Sequence, residues 1–177
     1  TPHDAKGLLK SAIRDQNPII FIEAQLLYGT KGDVGDGEYT IPIGVAEVKR
    51  VGHHATIIAY SKMLLLALEA ADQLSQEGIE VEVIDPRTLK PLDIPTIVAS
   101  VKKTGRLVIV EEGWHFCGLG AQIAESVYAA AFDYLDAPIQ RVTGVDVPMP
   151  YSRPLEDAAI PDKARVIKAV KALCGAQ

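Results

Sequence analysis

Near the start of the chain, apolar residues fall at Leu8, Leu9, Ala12 and Ile13, a helical spacing, and Asp4 is placed to cap that helix. Asn17-Pro18 stops it, because a residue before proline avoids the helical region. IIFI at 19–22 then reads as a buried strand. One helix and one strand cannot bury their own faces, so residues 1–28 are expected to complete a sheet whose other strands lie elsewhere. YGTKGDVGDGEYTIPIG, 28–44, carries five glycines, one proline and no helical period. It reads as a long surface crossover, with residues 29–47 as a linker.

From about residue 48 the two periods alternate. HATIIAYS (54–61) is strand-like and runs into the helix MLLLALEAADQLSQEG, with Gly78 as its stop. IEVEVIDP (79–86) is a second strand, and Pro91 and Pro95 bracket the start of a helix that ends at Gly105. RLVIVEE (106–112) is a third strand, followed by the helix GLGAQIAESVYAAAFDYL. IQRVTG (139–144) is a short fourth strand, and DKARVIKAVKALC, with Asp162 as cap, is a closing helix. This order predicts the α/β class, with a mostly parallel sheet flanked by helices over residues 48–177. RVTGVDVPMPYSRPLE (141–156), with three prolines, is expected to be an extended surface strap able to pack on a partner chain.

The chain has 177 residues, 48% hydrophobic, enough for one real core. A net charge of −5 speaks against a nucleic-acid partner. The longest apolar run, MLLLAL, is far short of the ~18 residues of a membrane span, and no signal peptide is visible. Cys117 and Cys174 suggest neither a disulfide framework nor a metal site and read as reduced thiols. The opening TPHDAKG, without an initiator Met, is expected to reflect processing or truncation.

Gly118-Leu119-Gly120 invites comparison with a phosphate loop. Seven residues separate Val110 from Gly118, Glu111 and Glu112 would repel an anion, and the third fingerprint position is Ile123. The favoured reading is a crossover whose glycines admit close packing, with the helix N-terminus satisfied internally. The alternative is a free-standing nucleotide-binding α/β module. Lys31, followed by glycine and acids, does not make a phosphate loop either. None of His3, His53, His54 and His115 has a ligand-spaced partner; His115, beside Trp114 and Cys117, is the best candidate for acid–base work. Ser61 lacks the flanking glycines of a hydrolase elbow and reads as a helix cap. Arg87, in IDPRTLKPLD, follows a strand end where such sheets place ligands, but reads first as an arginine pinning a loop to its neighbour.

DAKGLLKSAIRDQNPIIFIE, IDPRTLKPLD, EEGW with GLGAQIAE, and FDYLDAPIQRVTGVDVPMPY together resemble the beta subunit of pyruvate dehydrogenase across essentially the whole chain. The last motif favours pyruvate over the branched-chain 2-oxo acid enzymes, and the resemblance as a whole is closer to mitochondrial and related bacterial members than to chloroplast ones. The resemblance implies a transketolase C-terminal domain from about 48, preceded by the tail of a pyrimidine-binding domain. It implies that the glutamate activating thiamine diphosphate, and the beta-subunit histidine, lie upstream of Thr1. It further implies that diphosphate and magnesium are held mainly by the alpha subunit, so no residue here is assigned a catalytic role. Within the chain it implies a potassium ion on carbonyl oxygens of the stretch AIRDQN, at Ala12, Ile13, Asp15 and Asn17; unpaired carbonyls at a helix end suit a large cation. His115 departs from the family, which often has proline there. The implied partners are the alpha subunit, a second beta subunit and the dihydrolipoyl acyltransferase core. The implied compartment is the mitochondrial matrix or the bacterial cytoplasm.

Overall fold

The computed structural model describes residues 1–175. Five strands form one sheet in the order β1-β3-β2-β4-β5: β1 Glu47–Arg50, β2 Ala55–Ala59, β3 Val81–Asp85, β4 Leu107–Trp114 and β5 Gln140–Gly144. β3, β2, β4 and β5 run parallel, and β1 joins the β3 edge antiparallel. The helices are α1 Pro2–Arg14, α2 Lys62–Gln76, α3 Ile94–Thr104, α4 Leu119–Ala131, α5 Arg153–Ala159 and α6 Lys163–Cys174.

Strand periodicity divides the core into two layers. Ile57, Val83, Val108 and Val110 face α2 and α6, meeting Leu64, Leu74, Val166 and Val170. Ile58, Ile84, Leu107 and Ile109 face α3 and α4, meeting Ile97, Val101, Ile123 and Val127. Burial on both faces explains why β2 and most of β4 read as nearly continuous apolar runs. The predicted class and the four parallel strands are therefore found. Asp93 caps α3 by accepting from Thr96 N at 3.1 Å, and Asp162 caps α6 by accepting from Arg165 N at 2.7 Å. Gly78 (φ 81°) and Gly105 (φ 69°) close α2 and α3 in the left-handed region.

Several local expectations are corrected. Thr1, not Asp4, caps α1: its hydroxyl accepts from Asp4 N at 3.1 Å, and Asp4 turns inward instead to meet cations. α1 ends at Arg14, before Asn17-Pro18. IIFI is not a buried strand: residues 19–22 have no ladder partner, and Ile20 and Ile22 are 89% and 83% exposed. Apolar sequence alone could not supply the neighbouring strand. α1 itself is not orphaned. Gly7 lies close under Ile41, where an added Cβ would sit 2.6 Å from its Cγ1, and Ser11 Oγ donates to the Ile41 carbonyl at 2.5 Å. β1 was not anticipated at the start of the expected C-terminal domain; it arises because Val48 pairs with Ile84 at an otherwise open edge. The strap is extended only to Ser152; α5 follows, with a proline in its first turn. Ser61 occupies the N-cap position of α2 with φ 55°, but its side chain makes no capping bond.

Candidate functional site

In an open parallel sheet, ligands bind beyond the strand C-termini where the winding reverses. Here that point lies between β2, which winds through α2 to β3, and β4 on its other side. The end of β4 brings Glu111 and Glu112 there, and the loops after β2 and β4 bring Tyr60, Ser61 and Gly118.

Glu111, only 1% exposed, fills the crevice. Its Oε2 accepts from Gly120 N at 2.9 Å, and its Oε1 accepts from Arg141 NH2 at 2.6 Å. The Tyr60 hydroxyl lies 3.4 Å from Oε2. Burial, then the charge of Glu111 and its hydrogen bond, push the Tyr60 phenol up to about 12. Glu112 pairs with Lys62 at the start of α2. An added Cβ on Gly120 would collide with Glu111 Oε1, so the glycine is needed for close approach. The helix N-terminus is thus satisfied by the chain's own carboxylate, as the crossover reading anticipated. The Gly120 N–H a phosphate would use is taken by this carboxylate, which speaks against the nucleotide-module alternative. The Glu111–Arg141 pair was missed because its members stand 30 residues apart on neighbouring strands.

A second cluster lies at the β1–β3 edge. Asp4 accepts from Lys49 Nζ at 2.6 Å and from Arg87 NH2 at 2.7 Å, and Glu47 pairs with the same two cations. Burial would raise the Asp4 carboxyl, but hydrogen bonds from Lys49 and Thr1 and the charges of Lys49 and Arg87 outweigh it, holding Asp4 well below the carboxylate range. Asp85 is buried beside them, and burial pushes its carboxyl up; its Oδ1 accepts from Arg87 N at 2.9 Å. Arg87 (φ 58°) therefore pins the loop after β3 to α1 and β1, as the loop-pinning reading holds.

The histidines do not converge. His115 is exposed in the loop before α4, and His54 Nδ1 accepts from Glu80 N at 2.8 Å. Cys117 is exposed and Cys174 half-buried, both free. Among the described residues, no group of three or more His, Cys, Asp or Glu is gathered to hold a metal ion. Ala12, Ile13, Asp15 and Asn17 do fall together, at the exposed end of α1. Asp15 turns the backbone extended (φ −69°, ψ 145°), ending the helical run of donors beyond the last-turn carbonyls. Asp15 Oδ1 accepts from Asn17 N at 2.8 Å and Asn17 Nδ2 at 3.0 Å, and these bonds lower its carboxyl. Arg14 is drawn to Glu38 at 2.9 Å. Backbone oxygens and a side-chain carboxylate are the donor chemistry a large monovalent cation accepts.

The chain is 53% identical over 171 residues to the pyruvate dehydrogenase E1 component subunit beta of Rickettsia bellii, covering 97% of this chain and 53% of that protein. It is 51% identical over 175 residues to the corresponding subunit of Rhizobium meliloti, covering 98% of this chain and 38% of that one. With the mitochondrial subunit of Caenorhabditis elegans it shares 52% over 173 residues, covering 95% and 49%. It thus spans about half, or less, of the length of these relatives. Among solved structures it is similar to a split-gene transketolase described as an inactive beta4 tetramer, with TM-score 0.68 and 30% identity over 81% of this chain and 46% of that one. The family described as transketolase, C-terminal domain, matches residues 44–166, from the turn before β1 into α6. The chain belongs to the transketolase C-terminal domain family.

Proposed function

We propose that this chain is the C-terminal portion of the beta subunit of a thiamine-diphosphate-dependent pyruvate dehydrogenase, and that its own share of the work is assembly. The observation that carries this reading is identity near one half, sustained over nearly the whole chain, with E1 beta subunits of bacteria and an animal. Residues 1–28 act as the tail of a pyrimidine-binding domain, 29–47 as linker and 48–177 as the C-terminal domain. Thiamine diphosphate, with magnesium, supplies the carbon nucleophile for decarboxylation and acetyl transfer to lipoyl groups when bound to the assembled enzyme.

This chain's residues serve binding between subunits. Ile20, Ile22, Leu26 and Tyr28 present one apolar segment, and Val147, Met149 and Tyr151 present another. They are offered to the alpha subunit and a second beta subunit, and α6 is offered to the dihydrolipoyl acyltransferase core; the C-terminus itself, 176–177, lies outside the described residues. The carbonyls of Ala12 and Ile13, with Asp15 and Asn17, would hold potassium and brace the α1 end. The compartment is the mitochondrial matrix or the bacterial cytoplasm.

The test is reconstitution. The chain is coexpressed with the N-terminal half of the Rickettsia bellii beta subunit and its alpha subunit. The expected result is a copurifying assembly that decarboxylates pyruvate faster than 3-methyl-2-oxobutanoate, while the chain alone with thiamine diphosphate is inert. Failure to copurify, or turnover by the chain alone, overturns the reading. In the assembly, potassium should raise the melting temperature more than sodium at equal ionic strength; equal melting temperatures in the two salts would count against the cation site.

A further inference from the structure

The crevice at the winding reversal is built like an anion receptor. α4 is a 13-residue helix whose N-terminal cap, Gly118, offers no side chain to the first turn, so the Gly120 N–H is met by the Glu111 carboxylate instead. Arg141 is the second, independent feature. Its side chain is only 10% exposed, and its Nε has no partner. A Cβ on Gly120 would sit 2.9 Å from that Nε, so the guanidinium faces the first turn of α4. The Tyr60 hydroxyl approaches from the end of β2. Donors thus converge from three elements, and the group they surround is a carboxylate. A guanidinium and a backbone N–H together recognise that chemistry through charge-assisted bonds.

We propose that the first turn of α4, Arg141 and the Tyr60 hydroxyl form a carboxylate receptor whose resident ligand is the chain's own Glu111, and that a small free monocarboxylate takes the site when that side chain is cut back. The receptor links β4 to β5 and to α4, so its occupancy fixes how the loop 115–118 leaves the sheet. The elevated Tyr60 phenol agrees with a charged occupant.

The experiment uses Glu111→Ala in the full chain, melted in sodium formate, in sodium chloride of equal ionic strength, and in formamide, the neutral counterpart of formate. At formate about tenfold above its Kd, the variant should melt ~3–6 °C higher than in chloride, following ligand linkage for a chain of this size. Formamide should give no such rise, and wild type should not distinguish formate from chloride. Arg141→Met added to Glu111→Ala should abolish the formate response. Glu111→Gln, whose amide fills the space, should fold and ignore formate. If Glu111→Ala is insoluble, the yield on refolding from urea in formate against chloride is read the same way. Equal effects of formate and chloride, or a formate response in Glu111→Gln equal to that of Glu111→Ala, overturn the proposal.

Discussion

Asp4 and Asp85 share one cluster, yet their surroundings act on them in opposite directions. For Asp4, the Lys49 and Arg87 contacts outweigh burial and depress the carboxyl. Its contribution to stability is therefore present above the unfolded value of about 4 and is lost as pH falls below it. Asp4→Asn should cost about 1–3 kcal/mol at pH 7, moderated because Glu47 still pairs with both cations. In urea melts, the gap between wild type and variant should narrow from pH 5 to pH 2. For Asp85, burial dominates and the carboxyl is raised. The stability linked to its proton is full below about pH 4 and is lost as pH rises through the elevated folded value. Asp85→Asn keeps an oxygen to accept from Arg87 N, so it should stabilise the chain at pH 7 and have little effect at pH 3. An Asp85→Asn that melts lower than wild type at pH 7 would show that the carboxylate's charge is needed to hold Arg87.

At the scale of elements, the glycines around α4 separate packing from propensity. Alanine at a helical glycine is ordinarily favoured by about 1 kcal/mol. At Gly120 the added Cβ meets Glu111 and Arg141, both buried, so Gly120→Ala should instead destabilise by about 1–3 kcal/mol. Gly113, at the open end of β4, has nothing within 4 Å of a new Cβ, and Gly113→Ala should stay within about 0.5 kcal/mol. Denaturant melts of the two variants measure the difference directly. The same contrast shows what a sequence makes legible. β2, β3, β4 and their helices announced themselves because both sheet faces are buried and the caps Asp93 and Asp162 are local. β1 did not, because four residues of mixed polarity become a strand only by pairing with β3. IIFI misled for the converse reason: it has the composition of a strand and no neighbour to pair with. The Glu111–Arg141 pair was legible only as a hint, a glutamate at a strand end ahead of two glycines. Which arginine would meet it depends on β4 and β5 being adjacent. The α1 cation stretch came from resemblance, since four scattered backbone carbonyls leave no mark in composition.

For the whole molecule, order should fall away from the sheet centre toward the N-terminal segment. β2 is bonded on both sides, to β3 and β4, and its residues Ala55, Ile57, Ile58 and Ala59 are fully buried. Their amides can open only with the core, so they should exchange at the rate of global unfolding. Residues 19–22 make no ladder bonds, and Ile20 and Ile22 hold their side chains in water. An apolar segment whose backbone makes no ladder bonds invites pairing with another chain. In the chain alone, amides at 19–22 should exchange within seconds, and protease should cut between 15 and 38 before it touches α2 or α6. Once the beta N-terminal half and the alpha subunit are added, the same amides should slow by at least about a hundredfold, a change of about 3 kcal/mol in opening free energy. α1 supplies the internal control: its ion pairs to Lys49 and Arg87 lie within this chain, so its protection should change little on assembly. Slow exchange at 19–22 in a monomer of this chain would mean that the segment has found a partner within the same molecule, and that the apolar surface offered to other subunits lies elsewhere.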